Sequence, residues 1–208
     1  MTGDPREHGL FPLDLVLLPG EARALHIFEP RYRQLFADCV LGAAPFVVVR
    51  EHDGARADVG CAAEFERLVQ RAEDGRVVVV VRGLGAARVG EAVGGRLYDA
   101  ARCIPLVDDP GSPDPARAAA VVDAFRAVAE AATGAPRDPR AEAGVPLSYA
   151  AAGAVELPGD VLQALLGCRD ENERLGMVRD ALAATVEGLG EARAAAARAS
   201  TNGAGPHP

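Results

Sequence analysis

The chain contains no lysine; all 22 basic residues are arginine. A phosphate-binding loop of the form GxxxxGK followed by Ser or Thr is thereby excluded. So are a Ser-Lys dyad and a Schiff-base lysine. Cysteine is sparse. Cys39, Cys61, Cys103 and Cys168 make no CxxC and have no histidine pair nearby. Neither a zinc site nor a disulfide framework is expected from that spacing. The four read instead as small buried apolar residues in a reducing cytosol. No stretch approaches the ~18 consecutive apolar residues of a membrane span. The polar start MTGDPREHG lacks the apolar segment of a signal peptide, so the expected setting is cytoplasmic. Net positive charge is missing too. At −8, and without a basic cluster, nucleic acid is not an expected partner.

What is present suits a globular fold. With 208 residues and 49 % apolar composition, the chain can bury a sizeable core as one domain or two small lobes. Residues 1–9 read as a loose tail. Leu10 to Leu18, LFPLDLVLL, reads as a strand ended by Pro19-Gly20. Ala24 to Phe28 reads as a second strand. After Glu29-Pro30, apolar residues at Tyr32, Leu35, Phe36, Cys39 and Val40 fall on one helix face. Pro30 suits its first turn and Gly42 its stop.

Pro45 to Glu51 is rich in β-branched residues and closes on the turn His52-Asp53-Gly54. From Asp58 the pattern alternates. Val59, Cys61, Ala63 and Phe65 lie on one face, with Gly60, Ala62, Glu64 and Glu66 on the other. Glu73-Asp74-Gly75-Arg76 reads as a hairpin turn. Val77 to Arg82 is a buried strand, Gly83 and Gly85 suggest a bulge or bend, and Ala87 to Ala92 and Arg96 to Val107 continue extended.

Asp108 to Pro115, DDPGSPDP, is turn-rich and marks the lobe boundary; the Asp108-Asp109 pair reads as solvated. Beyond it the period becomes helical: 116–132, a weak segment at 140–153, then 158–167. A last helix runs from Asp170, a capping residue followed by Glu173, to about Ala199. Its stripe is Leu175, Val178, Leu182, Val186 and Leu189. Residues 200–208 have the composition of a disordered tail.

The segment Leu25 to Arg33, LHIFEPRYR, gathers residue types that catalysis uses. His26 has no partner within the segment to activate it. Glu29 stands at a helix start, where a carboxylate can accept from free backbone N–H groups. Arg31 and Arg33, two apart, point to different helix faces; one is expected to reach the β-rich lobe. Tyr32 belongs to the buried stripe. His26, Glu29, Pro30, Arg31, Tyr32 and Arg33 thus read as a structural joint or a binding motif, with no catalytic, cofactor or metal role. The pattern Gly83-x-Gly85 lacks the third glycine and the helix of a dinucleotide site. Ser112, Ser148 and Ser200 lie in no nucleophile elbow.

These motifs carry a resemblance. Phe11-Pro12-Leu13, Pro19-Gly20, Leu25-His26-Ile27-Phe28 and Glu29-Pro30-Arg31-Tyr32 resemble the opening of the Lon protease N-terminal, or substrate-binding, domain. Asp74-Gly75-Arg76 with Arg82-Gly83 is similar to that family's central hairpin. Gln163-Ala164-Leu165-Leu166 and Glu173-Arg174-Leu175 are similar to its late helices, so that the resemblance spans roughly residues 10 to 190. It implies an α+β fold: a PUA-like β-rich lobe over 10–107, with about six strands in a pseudo-barrel and one inserted helix, then a linker at 108–115 and a helical bundle over 116–199. It also implies a non-catalytic module, standing alone without ATPase or peptidase domains, that binds unfolded or extended protein segments and works beside an ATP-dependent protease. Self-association is left open. Two other classes remain: an RNA-binding PUA-like protein, and a small-molecule-binding protein or enzyme.

Overall fold

The computed structural model describes residues 4–202. Seven strands precede four of the five helices. They are β1 (Arg6–Leu13), β2 (Ala22–Ile27), β3 (Phe46–His52), β4 (Ala55–Arg56), β5 (Val59–Arg71), β6 (Val77–Val93) and β7 (Ala100–Pro105). Helix α1 (Pro30–Gly42) is inserted after β2. Helices α2 (Pro115–Thr133), α3 (Leu147–Ala152), α4 (Gly159–Gly167) and α5 (Glu171–Asn202) follow the strands. This is the α+β architecture expected from the sequence.

The strands close on themselves in the order β1-β7-β6-β5-β3, with β3 pairing back to β1 in parallel. All other pairings are antiparallel. Alternation divides the side chains of this barrel. Leu10, Val47, Val49, Ala101 and Cys103 form a small cluster on one face. Phe11, Phe46, Val48, Cys61 and Ala100 join a larger cluster on the other. That larger cluster also takes in Val121, Phe125, Leu165, Leu175, Val178 and Leu182 from the helices, so the two lobes share one core.

Several boundaries differ from the sequence reading. β1 opens at Arg6, inside the segment read as a loose tail, because Arg6 to Gly9 pair with Cys103 to Ala100 of β7. It also ends at Leu13. Val16, Leu17 and Leu18 are buried in a connection rather than a strand, since apolar content alone does not separate the two. The extended stretches either side of Gly83 and Gly85 are one strand, β6. There Ala62 pairs with Gly85 and Ala63 with Gly83, so Leu84 is bulged out. The weak helix near 140–153 is reduced to α3, preceded by an irregular connection. Helix α1 stops at Ala43, which adopts the left-handed conformation (φ 44°), one residue beyond the expected stop. Residues 203–208 of the expected tail lie outside the described residues.

Helix ends follow local chemistry. Asp114 caps α2 by accepting from the Ala116 N–H at 2.8 Å, with Pro115 in the first turn. Asp170 caps α5 by accepting from the Asn172 and Glu173 N–H groups. α2 and α5 run side by side in the same direction. The Asp114 N–H donates to Asn172 Oδ1 at one end, and Arg193 donates to the Ala131 carbonyl at the other.

Candidate functional site

β6 is longer than the barrel needs. Its first half, Val77 to Arg82, leaves the barrel flanked by β2 on one side and the end of β5 on the other. On its inner face Val77, Val79 and Val81 are buried with Leu25 and Ile27 of β2. α1 covers that face, with Phe36 packed edge-on to Phe65 of β5 at 4.5 Å. On the outer face, pairing aligns His26, Val78 and Gln70 in one row across the sheet. The next row is closed by the Ala72 N–H donating to the Arg76 carbonyl.

Beside these rows lies a groove of about 270 Å³ lined by His26, Phe28, Gln70, Ala72, Arg76 and Val78. Phe28 stands at its lip with 60 % of its surface exposed, a large apolar residue left in water. Among the described residues β2 hydrogen-bonds as a strand only to β6, so its other edge offers unpaired backbone groups.

The six residues of the joint separate here. His26 lies exposed on the groove wall. Pro30 begins α1. Tyr32 is buried edge-on against Phe11 at 4.4 Å, and burial pushes its hydroxyl pKa up. The Arg31 guanidinium lies 4.5 Å over the Tyr32 ring and pairs with Glu29 at 2.8 Å, a hydrogen bond that raises its pKa. Glu29 occupies the cap position, but its side chain caps nothing; the carboxylate turns to Arg31 instead. Its backbone carbonyl accepts from the Tyr32 and Arg33 N–H groups. Arg33 reaches the β5–β6 turn and donates to the Asp74 carbonyl at 3.4 Å. Arg33 thus links α1 to that hairpin, and of these six residues only His26 lines the groove.

The junction between the lobes holds what the sequence reading missed. Arg174 of α5 has no solvent exposure. It donates to Asp108 at 2.9 and 2.5 Å, to Glu171 at 3.0 and 2.7 Å, to Ser148 Oγ at 3.1 Å and to the Cys168 carbonyl at 2.9 Å. Its guanidinium lies 4.4 Å over the Tyr149 ring. Burial alone would lower its pKa; hydrogen bonds to Asp108 and Glu171 outweigh that and raise it. Asp108, read as solvated from its turn-rich surroundings, is instead this cation's main partner. Cys168, read as buried, is only partly so. The one signal in the sequence was Glu171 three residues before Arg174, a helical ion-pair spacing.

A second cleft, of about 440 Å³, opens between the lobes. Arg82, Leu84 and Gly85 line it from β6, Asp108 and Arg169 from the junction, and 142–146 from the α2–α3 connection. Among the described residues no cluster of His, Cys, Asp or Glu could hold a metal ion, and no helix is long and apolar enough to cross a membrane.

The family model for the ATP-dependent protease La (LON) substrate-binding domain matches residues 8–184. Two solved structures are similar. One is a Lon N-terminal domain protein from Xanthomonas campestris, at TM-score 0.65 and 24 % identity, covering 83 % of this chain and 96 % of that one. The other is the N-terminal domain of a Mycobacterium avium complex Lon protease, at TM-score 0.65 and 17 % identity, covering 85 % and 98 %. At such identities the likeness is one of fold. No curated protein matches the chain.

Proposed function

Because the chain belongs to the ATP-dependent protease La (LON) substrate-binding domain family, we propose that it binds exposed segments of other proteins and performs no chemistry on them. The observation that carries this reading is Phe28, 60 % exposed at the lip of an apolar groove and beside the open edge of β2. An extended segment would add to β2 through backbone hydrogen bonds and rest an apolar side chain against Phe28 and Val78. Such recognition reads shape and apolarity more than sequence, which suits unfolded clients. Delivery of those clients to a cytoplasmic ATP-dependent protease is the role we assign to it.

The test is titration of a fluorescent, extended apolar peptide. Phe28→Asp should weaken binding about tenfold or more, roughly 1.4 kcal/mol, with the melting temperature unchanged. Methylating every second peptide amide should weaken it similarly, in one of the two phases only. If Phe28→Asp binds like the parent protein, the groove is not the site.

A further inference from the structure

The α2–α3 connection, 134–146, crosses the mouth of the interlobe cleft as a strap. Near its end Glu142 to Val145 form a reverse turn. The Val145 N–H donates to the Glu142 carbonyl at 3.0 Å, and Gly144 supplies the positive φ of 85° that a type II turn needs at its third position. The turn presents two side chains to the β-rich lobe. The Glu142 carboxylate accepts from Arg82 at 2.9 Å. Val145 rests on Gly20, where a Cβ would come within 2.5 Å of its methyl group. A carboxylate and a β-branched side chain, at the first and fourth positions of one turn, thus meet a guanidinium and a glycine floor.

The strap fits this seat incompletely. About 440 Å³ stays open beside it, and Leu84 remains 48 % exposed on the cleft wall. Val145 packs against the edge of the main core, but the strap's charged ties are solvent-facing. The Arg82–Glu142 pair has side-chain exposures of 27 % and 65 %, and the Arg126–Asp138 pair farther along has 46 % and 61 %. Ion pairs in that setting hold weakly. Arg82 also keeps a second partner, Glu66 at 2.9 Å, so it stays in place when Glu142 leaves.

We propose that the strap is a built-in pseudo-ligand, and that the cleft beneath it is a second binding site for polypeptide turns. Its ligand carries a carboxylate at the first turn position, for Arg82, and an apolar side chain at the fourth, for the floor of Gly20 and the wall of Leu84. A fourth residue larger than valine fills the open volume and displaces the strap. This site is separate from the groove at Phe28 and does not depend on it.

The probe is a fluorescent synthetic peptide of residues 137–148, titrated into the full chain. In the parent protein the tethered strap competes at an effective concentration on the order of millimolar, so the probe binds weakly. The double variant Glu142→Gln, Val145→Ala loosens the strap and should bind the probe at least tenfold more tightly. A probe carrying the same two changes should lose that gain, which tests the seat without touching the protein's fold. Phe28→Asp should leave probe binding intact, separating this site from the first. Equal, weak binding of the probe by parent and double variant, with both folded by circular dichroism, overturns the proposal. So does equal binding of the changed and unchanged probes.

Discussion

Arg174 Nη2 donates to Asp108 Oδ2 at 2.5 Å from a position fully closed to solvent. Asp108 is the first residue of the segment between the lobes, and Arg174 lies in the last helix. Their contact therefore ties the end of the β-rich lobe to the helical bundle.

Asp108→Ala leaves that buried guanidinium with Glu171 as its one carboxylate partner, beside the neutral Ser148 hydroxyl and Cys168 carbonyl. Removing one partner of a buried pair costs about 3–5 kcal/mol. Asp108→Asn should cost less, because the amide oxygen still accepts. Urea denaturation followed by circular dichroism gives both values; a loss under about 1 kcal/mol for Asp108→Ala would show that water or Glu171 replaces the carboxylate.

Tyr32 and Glu29 lie three residues apart in one motif and should behave oppositely. Tyr32 is 6 % exposed and packed on Phe11, so Tyr32→Ala should cost about 3–5 kcal/mol, as for large aromatic truncations. Glu29 makes one solvent-facing pair with Arg31, at 36 % and 44 % side-chain exposure. Glu29→Ala should therefore change stability by less than about 1 kcal/mol. Thermal melts of the two variants side by side decide it.

That contrast marks what the sequence could convey. Periodicity placed Tyr32 on the buried face, and Pro30 at the helix start, because both follow from local backbone geometry. The alternating pattern from Val59 to Phe65 and the glycine bulge of β6 were legible for the same reason. The partner chosen by Glu29 was not, since a carboxylate at a cap position can turn either to backbone N–H groups or to a nearby guanidinium. Asp108 was harder still: its partner lies far along the chain, and its neighbours Asp109, Pro110 and Gly111 are those of a solvated turn. The groove escaped notice because an apolar residue read as the end of a strand is expected in the core, whereas Phe28 lies one residue beyond β2 and stays exposed.

The buried thiols set an alkaline limit. Burial pushes Cys61 up to about 12 and Cys39 and Cys103 up to about 11, from an ordinary 9.0. Below pH 9.0 both folded and unfolded chains keep these protons, and stability is unaffected. Between that value and each raised value the unfolded chain releases a proton that the folded chain retains, so stability falls as pH rises. Each thiol contributes up to about 1.4 kcal/mol per pH unit. Denaturation under reducing conditions between about pH 8 and 11 should show this decline, and Cys61→Ala should flatten the slope by about that amount per unit. An unchanged slope in Cys61→Ala would mean the thiol does not govern it.

Gly83 holds the point where β6 leaves β2 and the barrel begins. Its N–H donates to the Glu21 carbonyl at 2.9 Å, and its carbonyl accepts from the Gly20 N–H at 2.8 Å. A Cβ at this position would run into the Leu18 carbonyl oxygen and meet Cys61 Sγ at 3.0 Å. The obstacle is backbone, which cannot swing aside as a side-chain tip would. Gly83→Ala should then push the 18–21 turn outward and cost about 1–3 kcal/mol, the range for overpacked sites. Because that turn carries Gly20, the seat of Val145, the same variant should also loosen the strap. Hydrogen exchange over 134–146 should accelerate together with exchange at Gly20 and Glu21. Faster exchange at 18–21 with an unchanged strap would show that the two are not mechanically joined.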